Sequence, residues 1–128
     1  MKKSILFILA FSYTSVYARC EFPDGMSFVE MREYLARTYQ KYDKNLNQNY
    51  QRAIKICNKT NKKTQCKNRL QAMESNWIKY KEATEKFISF YETDIVGYGH
   101  SEAVLMFLCE ETKKQNQLLK DFISRLQN

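Results

Sequence analysis

Downstream of residue 27, apolar side chains recur at steps of three and four, the repeat of a helix rather than of a strand. Phe28, Met31, Leu35, Tyr39, Tyr42, Leu46, Tyr50, Ala53 and Cys57 mark one face of a first helix of roughly 30 residues, about 45 Å long. Ser27 and Glu30 form a capping box at its start. A second series, Leu70, Met73, Trp77, Tyr80, Thr84, Phe87 and Tyr91, alternates strictly between steps of three and four, the seam spacing of a coiled coil. Gly97 and Gly99 break the chain, and Ser101 is a candidate N-cap for a third helix. That helix is expected to bury Val104, Phe107, Leu108, Leu119, Phe122, Ile123 and Leu126. Its middle, Glu110 to Gln117, is polar almost all round, which predicts loose packing there. Strand-like alternation, glycine-rich linkers and fixed-period repeats are absent, and the one proline, Pro23, precedes the first helix. The expected fold is all-α: an antiparallel three-helix bundle, up-down-up, in one domain over residues 19–128.

Residues 1–18 read as a signal peptide rather than as fold. Lys2 and Lys3 form a positive start, Ile5 to Phe11 an apolar run, and Val16-Tyr17-Ala18 a small-residue cleavage site. The apolar run is shorter than the roughly 20 residues that span a bilayer. A lipoprotein anchor on Cys20 is disfavoured, because Arg19 occupies the position where lipid attachment requires a small residue. The expectation is a periplasmic or secreted bacterial protein, with about 110 residues left to build one core.

Export changes how the four cysteines are read. Cys20, Cys57, Cys66 and Cys109 are even in number and would lie in an oxidising compartment, which favours two disulfides. No Cys-x-x-Cys pair exists and His100 is the only histidine, so no metal site is expected. Four cysteines allow three pairings; Cys57 and Cys66 flank the polar stretch Asn58 to Gln65, a turn between helices, which favours joining those two.

Catalytic chemistry finds little support. Ser101 lies beside His100, but sequence neighbours seldom align as nucleophile and base, and nothing marks a third residue to orient the imidazole. Gly97-Tyr98-Gly99 lacks both a preceding strand and phosphate-cradle spacing. Neither an enzyme nor a cofactor is expected. The aromatic residues of the two long stripes read as core. Tyr98, between two glycines in a loop, is a better candidate for contact with a partner.

Charge is unevenly distributed. The chain has 21 Lys and Arg against 14 Asp and Glu; without Lys2 and Lys3 the net falls from +7 to +5. Arg52, Lys55, Lys59, Lys62, Lys63, Lys67 and Arg69 carry +7 with no acid between residues 51 and 69, so the remainder sums to −2. In an up-down-up bundle this basic turn occupies one tip. The connection from Phe90 to Glu102 occupies the other, with Glu92, Asp94 and Glu102 and no Lys or Arg. Nucleic acid would suit the charge but not the compartment, and the basic turn has no interleaved aromatics. Anionic lipid headgroups remain an alternative partner, which would make the protein an envelope-associated adaptor.

Several blocks resemble the lysozyme-inhibitor LprI-like family of small exported helical proteins. Asp43, Leu46-Asn47 and Tyr50 match its "aspartate, two residues, Leu-Asn, two residues, Tyr" block. Trp77, Tyr80-Lys81-Glu82-Ala83 match its "Trp, two residues, Tyr-Arg-Asp-Ala" block, with Lys81 for arginine and Glu82 for aspartate. A glycine-serine loop, Cys109 and Thr112 follow in family order. The resemblance covers roughly residues 30 to 126. Family members often carry two further cysteines, which fall at Tyr34 and Glu85 here; if those two pair with each other, their joint absence leaves Cys20–Cys109 as the second bridge. The resemblance also implies a protein partner, a lysozyme or another cell-wall hydrolase. Animal-type lysozymes are strongly basic, so a chain of net +5 would have to approach by its acidic tip. Glu92, Asp94, Tyr98, His100 and Glu102 are therefore the expected contact residues, with the glycine-flanked loop entering a groove of the target.

Overall fold

A computed structural model describes residues 20–97 and 102–127. The proposed signal peptide therefore lies outside the described residues, as do Tyr98, His100 and the expected cap Ser101. Three long helices account for nearly all of what is described: α1 (Phe28–Cys57), α2 (Lys63–Phe90) and α3 (Glu102–Gln127). No strand occurs among the described residues.

Local chemistry sets the helix ends. The Ser27 hydroxyl accepts from the Glu30 N–H at 3.2 Å and donates to the Glu30 carboxylate at 2.9 Å, closing the start of α1. Its far end unwinds through successive turns: Asn58 N–H reaches the Ile54 carbonyl, Lys59 that of Ile56 and Thr60 that of Cys57. The Thr60 hydroxyl also donates to the Cys57 carbonyl at 2.8 Å. α2 starts at Lys63, earlier than the polar composition up to Gln65 suggests, so Cys66 belongs to its first turn. After Phe90 the chain widens into a π-helical turn, Tyr91–Val96, which ends at Gly97 with φ of 89°. A left-handed residue ends a helix most cheaply as glycine, which has no Cβ to clash.

α1 and α3 run parallel and pack against each other along their length, while α2 returns antiparallel between them and covers less. Leu46, Ala53, Cys57, Leu70, Leu119 and Ile123 form one buried cluster, with Tyr50, Met73, Trp77 and Phe122 packed around it. A second cluster, Cys20, Leu35 and Cys109, lies toward the start of α1 and is flanked by Met31, Tyr39, Tyr42, Leu105 and Met106.

Two expectations about packing fail. The polar middle of α3 is not loose: Thr112, Gln115 and Asn116 are buried. Asn116 accepts from Asn49 Nδ2 at 3.0 Å and donates to the Tyr42 carbonyl at 2.8 Å. The Thr112 hydroxyl is satisfied by the Leu108 carbonyl of its own helix at 2.7 Å. These side chains pair inside the bundle, where sequence polarity alone reads as solvent-facing. The seam of α2 fails in the opposite sense. Leu70 is buried, yet Tyr80, Phe87 and Tyr91 stand exposed, as do Phe28 at the start of α1 and Leu126 near the end of α3. A seam is buried only where a partner helix faces it, and α1 and α3 are occupied with each other along this stretch.

Both expected disulfides are present, Cys20–Cys109 across 89 residues and Cys57–Cys66 across 9. Loop-closure entropy gives about 4.6 kcal/mol for the long bridge and about 2.6 kcal/mol for the short one. The double variant Cys20→Ala/Cys109→Ala should therefore melt roughly 10 °C below Cys57→Ala/Cys66→Ala in a thermal scan, given about 4–8 °C per kcal/mol for a domain of this size. Equal melting temperatures would mean that the long bridge adds no constraint beyond packing.

Candidate functional site

The connection between α2 and α3 lies at one end of the bundle and the α1–α2 turn at the other. The α2–α3 end carries an unusual concentration of uncovered apolar surface. Phe87 is 63% exposed and Ile95 60%, with Phe90, Tyr91 and Val96 exposed beside them. Carboxylates accompany them: Asp94 is exposed and Glu92 half-buried within the π turn. The outer face of α2 and this turn bound a shallow depression of about 450 Å³, lined by Glu82, Glu85, Lys86, Ser89, Phe90, Thr93 and Asp94. Thr93 ties the turn to the helix, its hydroxyl lying 2.7 Å from the Ser89 carbonyl and 3.3 Å from the Asp94 carboxylate. π-Turns are rare and concentrate at functional sites, and contiguous apolar surface rimmed by charge is the composition of a protein interface.

The expected contact residues divide. Glu92 and Asp94 share this end with the apolar strip. Glu102 turns toward α1, with its carboxylate 3.9 Å from Arg32 Nε and most of its side chain covered, which leaves it little surface for a partner. Tyr98 and His100 follow Gly97 in the segment outside the described residues. Phe87, Phe90, Ile95 and Val96 were not expected as surface. Phe87 was assigned to the seam, and the others carried no sequence signal beyond lying off it.

The basic residues gather at the opposite end as the antiparallel order requires. Arg52, Lys55, Lys59, Lys62, Lys63 and Arg69 are exposed and Lys67 is half-buried. Lys120 and Arg125 near the end of α3 add to the same tip, and Asp121 is the acid beside them.

Between the two ends, the blocks that carry the family resemblance do structural duty. Lys81 Nζ lies 4.9 Å from the Trp77 ring centre and 5.7 Å from that of Tyr39, and donates to the Tyr39 hydroxyl at 3.3 Å. Lysine thus keeps a cation over two aromatic rings and joins α2 to α1. Two helical turns before Lys81, the Glu74 carboxylate accepts from Gln115 Nε2 at 3.1 Å. Burial raises the Glu74 pKa above its usual value; the Gln115 hydrogen bond and Lys81 pull it down, and Asp43 pushes it up. No group of three or more His, Cys, Asp or Glu among the described residues could hold a metal ion. None of their helices is long and apolar enough to cross a membrane.

Comparison with known sequences gives one result. The sequence model of the family described as "Lysozyme inhibitor LprI" matches residues 20–120. No curated protein and no solved structure matches the chain.

The Glu74 environment makes a pH prediction. Its raised pKa means that the native state binds the proton more tightly than the unfolded state, so ionisation costs stability as pH rises above about 4.5. Glu74→Gln retains an acceptor for Gln115 and removes the charge. It should melt above the parent at neutral pH, with the advantage vanishing below about pH 4, where both side chains are neutral. Parallel melting curves with a constant offset across that range would contradict this assignment.

Proposed function

The chain belongs to the family described as lysozyme inhibitor LprI, and from that premise we propose that it binds a cell-wall hydrolase of the lysozyme class and blocks it with the acidic, apolar-studded end of the bundle. The reading includes export through the signal peptide and a binding role rather than an enzymatic one. One observation carries it beyond family membership: Phe87, Phe90, Tyr91, Ile95 and Val96 are left uncovered at the end that also bears Glu92 and Asp94. The apolar strip supplies contact area, and the two carboxylates supply the sign of charge that a strongly basic target attracts. Tyr98 and His100, which continue the chain from the left-handed Gly97, are the residues proposed to enter the target's groove. Glu102, turned to Arg32, has a supporting part in holding α3 against α1 rather than in contact.

A second reading draws on the opposite end, where the exposed cations of the basic turn suit anionic lipid headgroups, as in an envelope-associated adaptor. It predicts salt-sensitive co-sedimentation with anionic vesicles that disappears when Lys62 and Lys63 are both changed to Glu. Vesicle binding that ignores both salt and these substitutions would discard it.

The inhibitor reading is tested by titrating the protein against several lysozyme types. Phe90→Ala and Tyr98→Ala should each weaken inhibition through faster dissociation, by about 2 kcal/mol for a true anchor. Glu92→Gln with Asp94→Asn should slow association mainly at low salt. Phe90 and Asp94 are exposed, and melting temperatures of the tip variants should stay within a few degrees of the parent. Absence of inhibition by the parent at micromolar concentration would remove the reading; undiminished inhibition by every tip variant would move the contact elsewhere on the bundle.

A further inference from the structure

At the basic end, α2 and α3 do not close fully on each other. Cys66, Leu70 and Met73 on one side and Leu118, Leu119 and Phe122 on the other bound an apolar cavity of about 370 Å³, with Arg69 in its wall. That volume falls within the range of small-molecule sites. Leu70 and Leu119 are buried and form the floor, whereas Leu118 is 50% exposed and marks an open side. Met73 is unbranched and adapts its shape to what it meets. The residues that line the gap all belong to α2 and α3, and α1 reaches it only from behind, through the buried cluster that Leu70 and Leu119 share with Leu46, Ala53 and Cys57.

Cations surround this cavity. Positions 66, 69 and 73 form one stripe along α2, and Lys62 caps the start of that helix, its carbonyl accepting from the Cys66 N–H at 2.8 Å, with Lys63 and Lys67 flanking it. Arg125 lies one turn beyond Phe122 on α3, whereas Lys120 lines a separate depression beside Arg52 of α1. The local carboxylate, Asp121, accepts from Gln117 Nε2 at 2.9 Å. Apolar walls with a cationic rim complement an amphiphile with one apolar chain and one anionic head. We propose that this cavity binds a free fatty acid, its chain between α2 and α3 and its carboxylate toward Arg69 and Lys62. A single chain fills the space; a two-chain membrane lipid would leave its second chain without a wall. The inference rests on neither reading above, and it concerns the end remote from the acidic strip.

Isothermal titration with monomeric octanoate, decanoate and laurate tests it. Saturable one-to-one binding is expected, tightening roughly four-fold for each added methylene as apolar chain leaves water. Leu118→Asp should abolish laurate binding by setting a charge in the cavity mouth. Arg69→Glu, a change on an exposed residue that spares the core, should weaken laurate by about five-fold while leaving the uncharged decyl maltoside unaffected. Circular dichroism melts check that each variant is folded, and Arg69→Glu carries the test alone if Leu118→Asp is not. The proposal fails if laurate gives no saturable heat or if affinity does not depend on chain length. It fails equally if Arg69→Glu binds laurate like the parent, or if the protein associates with anionic vesicles but not with monomeric fatty acid.

Discussion

Asn116 reaches from α3 to α1 with both ends of its amide, accepting from Asn49 and donating to the Tyr42 backbone carbonyl. α1 and α3 are parallel and far apart in sequence, so no short connection sets how far one slides along the other. Apolar contacts tolerate sliding; a buried amide does not. A displacement of one turn would leave the Asn49 and Asn116 amides buried without partners, at a cost of about 1–3 kcal/mol for each orphaned group. Buried asparagines fix register in coiled coils in the same way. With this pair in place, Cys20 meets Cys109, Arg32 meets Glu102, and α2 inherits the groove that remains.

The arrangement explains which parts of the fold were legible in the sequence. α1 reads cleanly because its apolar stripe from Met31 to Cys57 packs into the bundle and its start carries a working cap. The Cys57–Cys66 bridge is legible from the turn it spans, whereas Cys20–Cys109 needed the family comparison, since composition offers no reason for a residue before α1 to find the middle of α3. The interior of α3 misleads, because Thr112 is satisfied by its own helix while Gln115 and Asn116 find partners on α2 and α1. Pattern reading assigns polar residues to water unless a partner is known, and the partners here lie about 40 to 70 residues away in the chain.

The candidate site divides along similar lines. Charge is legible, because Lys, Arg, Asp and Glu remain at helix surfaces wherever the helices go, and connectivity alone sends the basic turn and the acidic connection to opposite ends. Exposure of apolar residues is not. The stripe through Tyr80, Phe87 and Tyr91 has the spacing of a buried seam, yet all three are exposed, Tyr80 although its ring meets Phe107 of α3 edge-on at 6.2 Å. Lys81 stands in its motif position for arginine, and only its contacts with Trp77 and Tyr39 show that the charge ties α2 to α1.

The separation of charge has a consequence for how the molecule stands. A rod about 45 Å long, with seven cations clustered at one tip and carboxylates at the other, carries an electric moment along its axis. Within a Debye length of any anionic surface, about 8–10 Å at ordinary ionic strength, that moment aligns the rod upright. On such a surface the basic turn would face inward and the exposed aromatic strip would point outward, held at arm's length toward whatever arrives from solution.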